Sequence, residues 1–364
     1  MENKTYLVDL TPIGNYFFGS ENTFSSTDKA TIDTSITNYL VRSRMYPQQT
    51  TLLGLMRYVL LIKEGKLNKP VEEKNALIGS KSFQGADVGS PEKWGIINSI
   101  SPLFLKNGDH NYKIAGQDYQ FYKDKNDQEN LVVLNSLNEP NNTFSFNENA
   151  HRAFTNYDPK HYAELLWKAD TEEECLRPDD IFVESFQVGI KKSFTVKSDN
   201  DAFYKQFFFR LTAGFSFAFY LNIDGDIKDA LKAVVVPSGA DQSLFRVTFK
   251  EEESIFNEPE TPEGPVKITL LSDAFLTSDV LDTCELAISG NVDFRYIKTN
   301  TGTKRYYNIS KSNEDMQKSA KLNLVERGSV FYFDDPSAFI EALTAPVAYR
   351  NIGFNQYKIE SVTL

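Results

Sequence analysis

Two cysteines in 364 residues, Cys175 and Cys284, are too few and too far apart for a disulfide framework or a zinc site. Three histidines, His110, His151 and His161, stand at no metal-ligand spacing. His151 precedes Arg152 and could touch a nucleic acid, but surface or packed imidazole is the ordinary role. No apolar run approaches the ~18 residues of a membrane helix, and the first residues have no apolar signal-peptide core. The expectation is a cytoplasmic protein without membrane contact. G-x-x-x-x-G-K-[ST], G-x-S-x-G, H-E-x-x-H and an EF-hand loop are missing too. No metal or other cofactor is therefore expected. Asp224-Gly225-Asp226 reads as a turn, and Asp273 with Asp279 as turn residues rather than a catalytic carboxylate pair.

Positive charge is also short. The net charge is −11, which argues at first against nucleic acid. Its distribution weakens that argument. Residues 251–263 hold six acids and no base, and residues 170–180 hold six acids and one arginine. These two segments carry the whole excess, so the rest of the chain is neutral. Both read as solvated loops that repel RNA locally or meet a basic protein partner.

What is present suits two packed cores. Hydrophobic residues make up 41% of the chain and aromatics 13%, with 28 phenylalanines. The length predicts two domains of about 150 residues each, with some insertion. A polar run at 198–201 places the boundary, dividing the chain into 1–199 and 200–364. Residues 79–180 are irregular and rich in Gly, Asn and charge, and read as a loop-rich insertion in the first domain. Strands are expected at 5–10, at 182–196 with a turn near Gly189, and at 207–223, where 215–223 alternates with period two. Further strands are expected at 244–249, 266–271, 285–288, 294–297, 322–325, 330–333 and 357–362. Short helices are expected at 159–168, 227–234 and, opened by Asp335 and Pro336, to about 343. The fold class is α+β.

One stretch, 39–63, stands out: Y-L-V-R-S-R-M-Y-P-Q-Q-T-T-L-L-G-L-M-R-Y-V-L-L-I-K. Pro47 suits a helix entry, and Thr50 or Thr51 can cap the first amides. Leu52, Leu55, Met56 and Val59 give a buried face at helical spacing. Thr50, Gly54, Arg57 and Leu61 share another face, and Gly54 costs roughly 1 kcal/mol against alanine there. Residues 34–63 contain no acid, but include Arg42, Arg44, Arg57 and Lys63. Orphan amides, hydroxyls and flanking arginines make a site for phosphate. An ordinary amphipathic helix with a solvated basic edge would read the same way.

Other candidates are weaker. Residues 294–313 have no acid and interleave Arg295 and four further cations with aromatic rings, as single-stranded RNA binding requires. A surface hairpin is the bland alternative. Residues 185–198 carry Lys191, Lys192 and Lys197 without an acid, and a basic hairpin can grip a backbone by charge alone. Arg327, Gly328 and Ser329 lie between two apolar strands, where turn amides and a guanidinium could hold phosphate or simply turn the chain. Lys81 is a weaker backbone contact, and Trp94 reads as a packed ring rather than a stacking platform.

The stretch 39–63 also carries a resemblance. N-Y-F-F-G-S-E-N-T-F (15–24) followed by M-Y-P-Q-Q-T-T-L-L-G-L-M-R (45–57) resembles the RAMP proteins of type III CRISPR systems. Within that superfamily it is most similar to the Cmr-complex subunit that binds the 5′ handle of the CRISPR RNA. The shared pattern is an aromatic-Phe-Gly segment (Phe17, Phe18, Gly19), then Pro47, Thr50 or Thr51, Gly54 and Arg57 opening the first helix. I-G-S (78–80), W-G-I-I-N-S-I-S-P-L-F-L (94–105), L-L-S-D-A-F (270–275) and E-R-G-S-V-F-Y-F (326–333) extend it along most of the chain. A glycine-rich loop of the family falls near Gly328, but only one glycine is present.

The resemblance implies two ferredoxin-like (RRM-like) domains, 1–199 and 200–364, with the insertion at about 79–180 in the first. It implies a non-catalytic subunit that anchors the crRNA 5′ handle and docks the large polymerase-cyclase subunit and a backbone RAMP subunit, meeting target RNA only indirectly. Arg42, Ser43, Arg44, Gln49, Thr50, Thr51 and Arg57 would hold the handle. Lys81, Lys191, Lys192, Arg295, Arg327 and Gly328 would extend the groove. Two alternatives stay open. The same fold hosts metal-independent endoribonucleases that process precursor crRNA, though no histidine occurs before His110. A plain protein-interaction module would also fit the acidity.

Overall fold

The computed structural model describes residues 2–26, 38–80, 83, 94–123, 129–133, 165–170, 174–191, 202–239, 241–298 and 317–361. In chain order it begins with strands β1 (Asn3–Pro12), β2 (Phe18–Ser26) and β3 (Asn38–Arg44), then helices α1 (Gln49–Lys63) and α2 (Val71–Ile78). Short strands follow: β4 (Ile97–Ile100), β5 (Phe104–Asn107), β6 (His110–Ile114), β7 (Tyr119–Lys123), β8 (Glu129–Val133), β9 (Trp167–Ala169) and β10 (Cys175–Leu176). Helix α3 (Pro178–Ile181) leads to β11 (Phe182–Lys191), β12 (Ala202–Leu211), β13 (Phe215–Asp224), β14 (Val234–Ser238) and β15 (Ser243–Glu251). The last third holds β16 (Val266–Leu270), α4 (Ser278–Leu281), β17 (Leu286–Ile288), β18 (Asn291–Phe294), β19 (Ile297–Lys298) and β20 (Gln317–Lys318). It closes with β21 (Leu322–Val325), β22 (Val330–Phe333), α5 (Ser337–Thr344), α6 (Val347–Asn351) and β23 (Tyr357–Ser361). The fold is mixed α+β and rich in sheet.

The largest sheet runs β10–β9–β6–β5–β13–β1–β15–β14, with β4 also pairing with β13. Its centre, β5–β13–β1–β15, is antiparallel throughout. A second sheet, β11–β12–β3–β2, joins β12 to β3 in parallel. A third, β17–β22–β16–β23, is antiparallel. The division expected at 199/200 falls between β11 and β12, which pair with each other from Phe182↔Leu211 to Lys191↔Ala202. β13 then pairs with β1 along eight residues. Residues 202–251 thus share sheets with the first part of the chain.

The apolar stripe of α1 does what its spacing predicts. Leu52, Leu53, Leu55, Met56, Val59 and Leu60 are buried against Val8, Leu10, Phe217 and Phe219 of the large sheet. The strict alternation of β13 has a different outcome on its other face. Ala218 and Tyr220 are buried as well, under Ile255 and Phe256 of the acidic segment. That segment is therefore no free loop: two apolar side chains pin it to the sheet while Glu253, Glu258, Glu260 and Glu263 stay exposed.

Three local expectations fail for identifiable reasons. No helix forms over 227–234. Leu231 is 94% exposed, so the segment buries too little apolar surface to fold as one. The β-branched Val234–Val236 instead pairs with β15. Residues 167 and 168 of the expected 159–168 helix belong to strand β9 on β6, with Trp167 opposite Ile114; residues 159–164 lie outside the described residues. β11 passes through Gly189 without a turn, because Gly189 faces Tyr204 in an unbroken ladder.

A buried ion pair ties the last third of the chain to the strands before it. Lys267 Nζ on β16 lies 2.9 Å from Asp118 Oδ2, with both side chains almost fully buried. The Tyr332 hydroxyl also donates to Asp118 Oδ2, at 3.2 Å. Burial pulls the Lys267 ammonium pKa down, but Asp118 and Glu360 more than offset it and the net shift is upward.

Candidate nucleic-acid interface

The start of α1 faces a cleft of about 670 Å³. Phe18 and Gly19 of β2 and Arg44 of β3 form one side. Gln48, Thr50, Thr51, Gly54 and Arg57 form the α1 side. Arg295, Tyr296 and Ile297 close it from the last third of the chain, and Gly239 and Gln242 from the β14–β15 turn. Three guanidinium groups thus line one cleft, and its described lining has no carboxylate, in a chain of net charge −11.

Each arginine is delivered by a different device. Arg44 ends β3, where Phe18 pairs with it in register. Its Nη2 donates to the Asp293 carbonyl, so it is aimed across the cleft toward the segment that bears Arg295. Arg57 sits one α1 turn beyond Gly54 and donates from Nη2 to the Gly79 carbonyl at 2.9 Å. Burial lowers its guanidinium pKa, but from so high a value that it stays cationic near neutral pH. Arg295 follows Phe294 of β18 and is half-buried. Behind this wall Phe83 packs on Phe294, Tyr296 and Phe354, with centroids 6.5, 5.3 and 5.9 Å away.

Gly54 has a clear role in this geometry. It is exposed, and a Cβ built on it would meet nothing within 4 Å. Its place in the helix therefore leaves open space in the cleft rather than relieving a clash. The helix entry differs from expectation. Gln48, not a threonine, is the N-cap residue, and no side chain caps the helix. Thr50 and Thr51 are turned toward the cleft instead.

Several expected contacts are corrected by their surroundings. Ser43 is buried; its hydroxyl accepts from Phe18 N at 2.9 Å and donates to the Arg44 carbonyl at 2.8 Å. Gln49 is fully buried and ties Ser101 O to Ile352 O, at 2.8 and 2.9 Å. Both fix the frame rather than face a ligand. Arg327 is 1% exposed, with Nε 3.2 Å from Asp273 Oδ1, and cannot reach an outside phosphate. Gly328, at φ +82°, turns the chain beneath it and donates to the Leu270 carbonyl at 2.7 Å. Asp273 is thus an ion-pair partner, not half of a carboxylate dyad.

Arg42 does not line the cleft. It is exposed on the second sheet, paired with Glu184 at 2.5 Å and 5.8 Å from the Phe207 ring. Lys191 ends β11, and its side chain lies outside what the structure describes. Lys81, Lys192 and the cations of 299–313 lie outside the described residues. Trp94 is a packed ring, 1% exposed. Gly239, Gln242 and Phe83 carried no motif; only tertiary pairing brings them here.

No curated protein matches the chain. Among solved structures, a chain of the cryo-EM structure of the Type III-B Cmr-beta bound to cognate target RNA is 12% identical, with 99% of each chain covered and a TM-score of 0.49. In the same assembly with cognate target RNA and AMPPnP, state 1, the identity is 13%, the coverage 98% and 99%, and the TM-score 0.49. A chain of the Csm3-Csm4 subcomplex in the type III-A CRISPR-Cas interference complex is 12% identical, with 90% and 93% covered and a TM-score of 0.35. The family model for CRISPR-associated protein (Cas_Cmr3) matches residues 8–359. With nearly its whole length in that match, the chain belongs to the Cas_Cmr3 family of CRISPR-associated proteins.

Proposed function

We propose that this chain is a non-catalytic subunit of a type III-B Cmr effector complex, and that the cleft at the start of α1 holds the 5′ handle of the crRNA. The observation that carries the reading is the convergence of Arg44, Arg57 and Arg295 on a cleft whose described lining has no acid. A concave, cationic, ring-floored site suits a phosphate chain with unstacked bases. The acid-free wall also keeps a polyanion away from the −11 of the remaining surface.

Strand order supports two ferredoxin-like RAMP units. β5–β13–β1–β15 and β17–β22–β16–β23 have the same 2-3-1-4 order relative to the chain, each with a helix after its first strand. The large polymerase-cyclase subunit and a backbone RAMP subunit are the partners of this reading. The exposed acids of 251–263 offer a basic partner a surface.

The test is binding of handle RNA by the assembled complex carrying Arg44→Ala or Arg57→Ala. Each should weaken binding by about 1–3 kcal/mol, the worth of a charge-assisted contact, and flatten the salt dependence by about one phosphate. Unchanged affinity in both variants overturns the assignment. Defined cleavage of precursor crRNA by the isolated chain in the presence of chelator would replace it with the endoribonuclease reading.

A further inference from the structure

On the face of the large sheet turned away from α1 lies a second pocket, of about 330 Å³. Tyr220 and Asn222 of β13 and Ser99 of β4 line one side. Phe256 and Glu258 of the acidic segment line another, and Arg350 of α6 bounds it from the last third of the chain. The volume is at the lower end for a ligand site, enough for one side chain or chain end. Within the described lining Arg350 is the only cation and Glu258 the only acid.

These two are paired, but not in the geometry a guanidinium favours. Both Glu258 oxygens lie 2.8 Å from the same nitrogen, Arg350 Nη2. Arg350 Nε is buried and has no acceptor. Arginine holds a carboxylate best by two parallel N–H···O bonds, and a buried donor left unpaired is costly. A carboxylate bridging Nε and Nη2 would satisfy the donor that Glu258 leaves. Glu258 gives way easily, since its side chain is 76% exposed while that of Arg350 is 17% exposed, and a solvated carboxylate holds its partner weakly. The mouth also selects what enters. Glu253, Glu260 and Glu263 stay exposed on the same segment. Their charge repels RNA and polyphosphates and attracts lysine and arginine.

We infer that this pocket docks a basic segment of a neighbouring protein subunit, one of whose carboxylates, on a side chain or a chain end, replaces Glu258 on Arg350. Glu258 is the placeholder that occupies the guanidinium until the partner arrives. The inference rests on the chain's place in a Cmr complex, and the site is separate from the RNA cleft: the two share no lining residue.

The experiment titrates the full chain into the remaining subunits of its complex, with crRNA present. Arg350→Gln should weaken association about tenfold or more, and Arg350→Lys nearly as much, because lysine keeps the charge but not the fork. Glu258→Gln should strengthen it several-fold, since the placeholder is gone. A merely structural ion pair would make Glu258→Gln and Arg350→Gln weaken association alike; that result overturns the inference, as does equal affinity in every variant. Val347 lines the pocket and is 39% exposed. With Val347→benzoylphenylalanine, light should crosslink the chain to a Lys/Arg-rich segment that carries a carboxylate. Crosslinks to RNA alone, or to no partner, also overturn it. If Arg350→Gln fails to fold, the Glu258→Gln titration and the crosslink still decide. A wild-type chain that joins no such complex removes the proposed function itself; a complex that forms but ignores the pocket variants removes this inference alone.

Discussion

The Arg327 guanidinium stands over the Tyr46 ring, its Cζ 4.2 Å from the centroid. Tyr46 lies in the turn between β3 and α1, and the Tyr16 hydroxyl donates to the neighbouring Met45 carbonyl. One contact thus joins the last third of the chain to the turn that sets both Arg44 and the first turn of α1. The residue that reads in sequence as a phosphate clamp acts from behind the site. Replacing Arg327 with alanine would leave Asp273 as an uncompensated buried charge, at a cost of about 3–5 kcal/mol. Lysine should rescue only part of this, since it has neither the planar fork nor the face that stacks on a ring. Urea unfolding of the three proteins measures both.

Gly54→Ala separates fold from function. With open space around the Cβ position, alanine should stabilise the helix by about 1 kcal/mol. The same methyl narrows the cleft, so handle RNA should bind more weakly. Higher stability with unchanged RNA affinity would show that the opening beside Gly54 is not used.

Arg42→Ala should change little. Its pairing with Glu184 is exposed, and such pairs contribute about 0–1 kcal/mol. Affinity for handle RNA should fall less than in Arg44→Ala, although only one residue separates the two on β3. Equal losses in a binding titration would extend the interface onto the second sheet.

Glu326 makes stability depend on pH near neutrality. Burial pushes its carboxyl up to about 7; Asp273 adds to this, while Arg327 and Arg44 oppose it. A glutamate in the unfolded chain titrates near 4.3. The folded state therefore keeps a proton that the unfolded state releases. The stabilisation is complete below about pH 4 and is lost as pH rises through about 7, amounting to roughly 4 kcal/mol at most. Melting temperatures from pH 5 to 8 should fall more steeply for the wild type than for Glu326→Gln. Parallel curves would place the Glu326 titration elsewhere.

Much of the fold is legible in the chain because local physics sets it. The 3.6-residue stripe of α1, the alternation of β13 and the apolar runs of β21 and β22 require only that one face or both be buried, and the structure buries them. Where a segment had no surface to bury, as with exposed Leu231, pattern alone misled.

The sequence by itself determined that an acid-free basic turn enters an amphipathic helix, and that Thr50, Gly54 and Arg57 share one face of it. Spacing along a strand and a helix is a local property, so no distant residue was needed. Which basic residues look outward was decided only by the tertiary structure. Arg327, between two apolar strands, and Arg295, in a basic aromatic run, both read as RNA contacts, yet one meets a buried carboxylate 54 residues away and the other a cleft. Burial and the sign of the neighbouring charge arise from sheet pairing across the whole chain, and no local pattern encodes them.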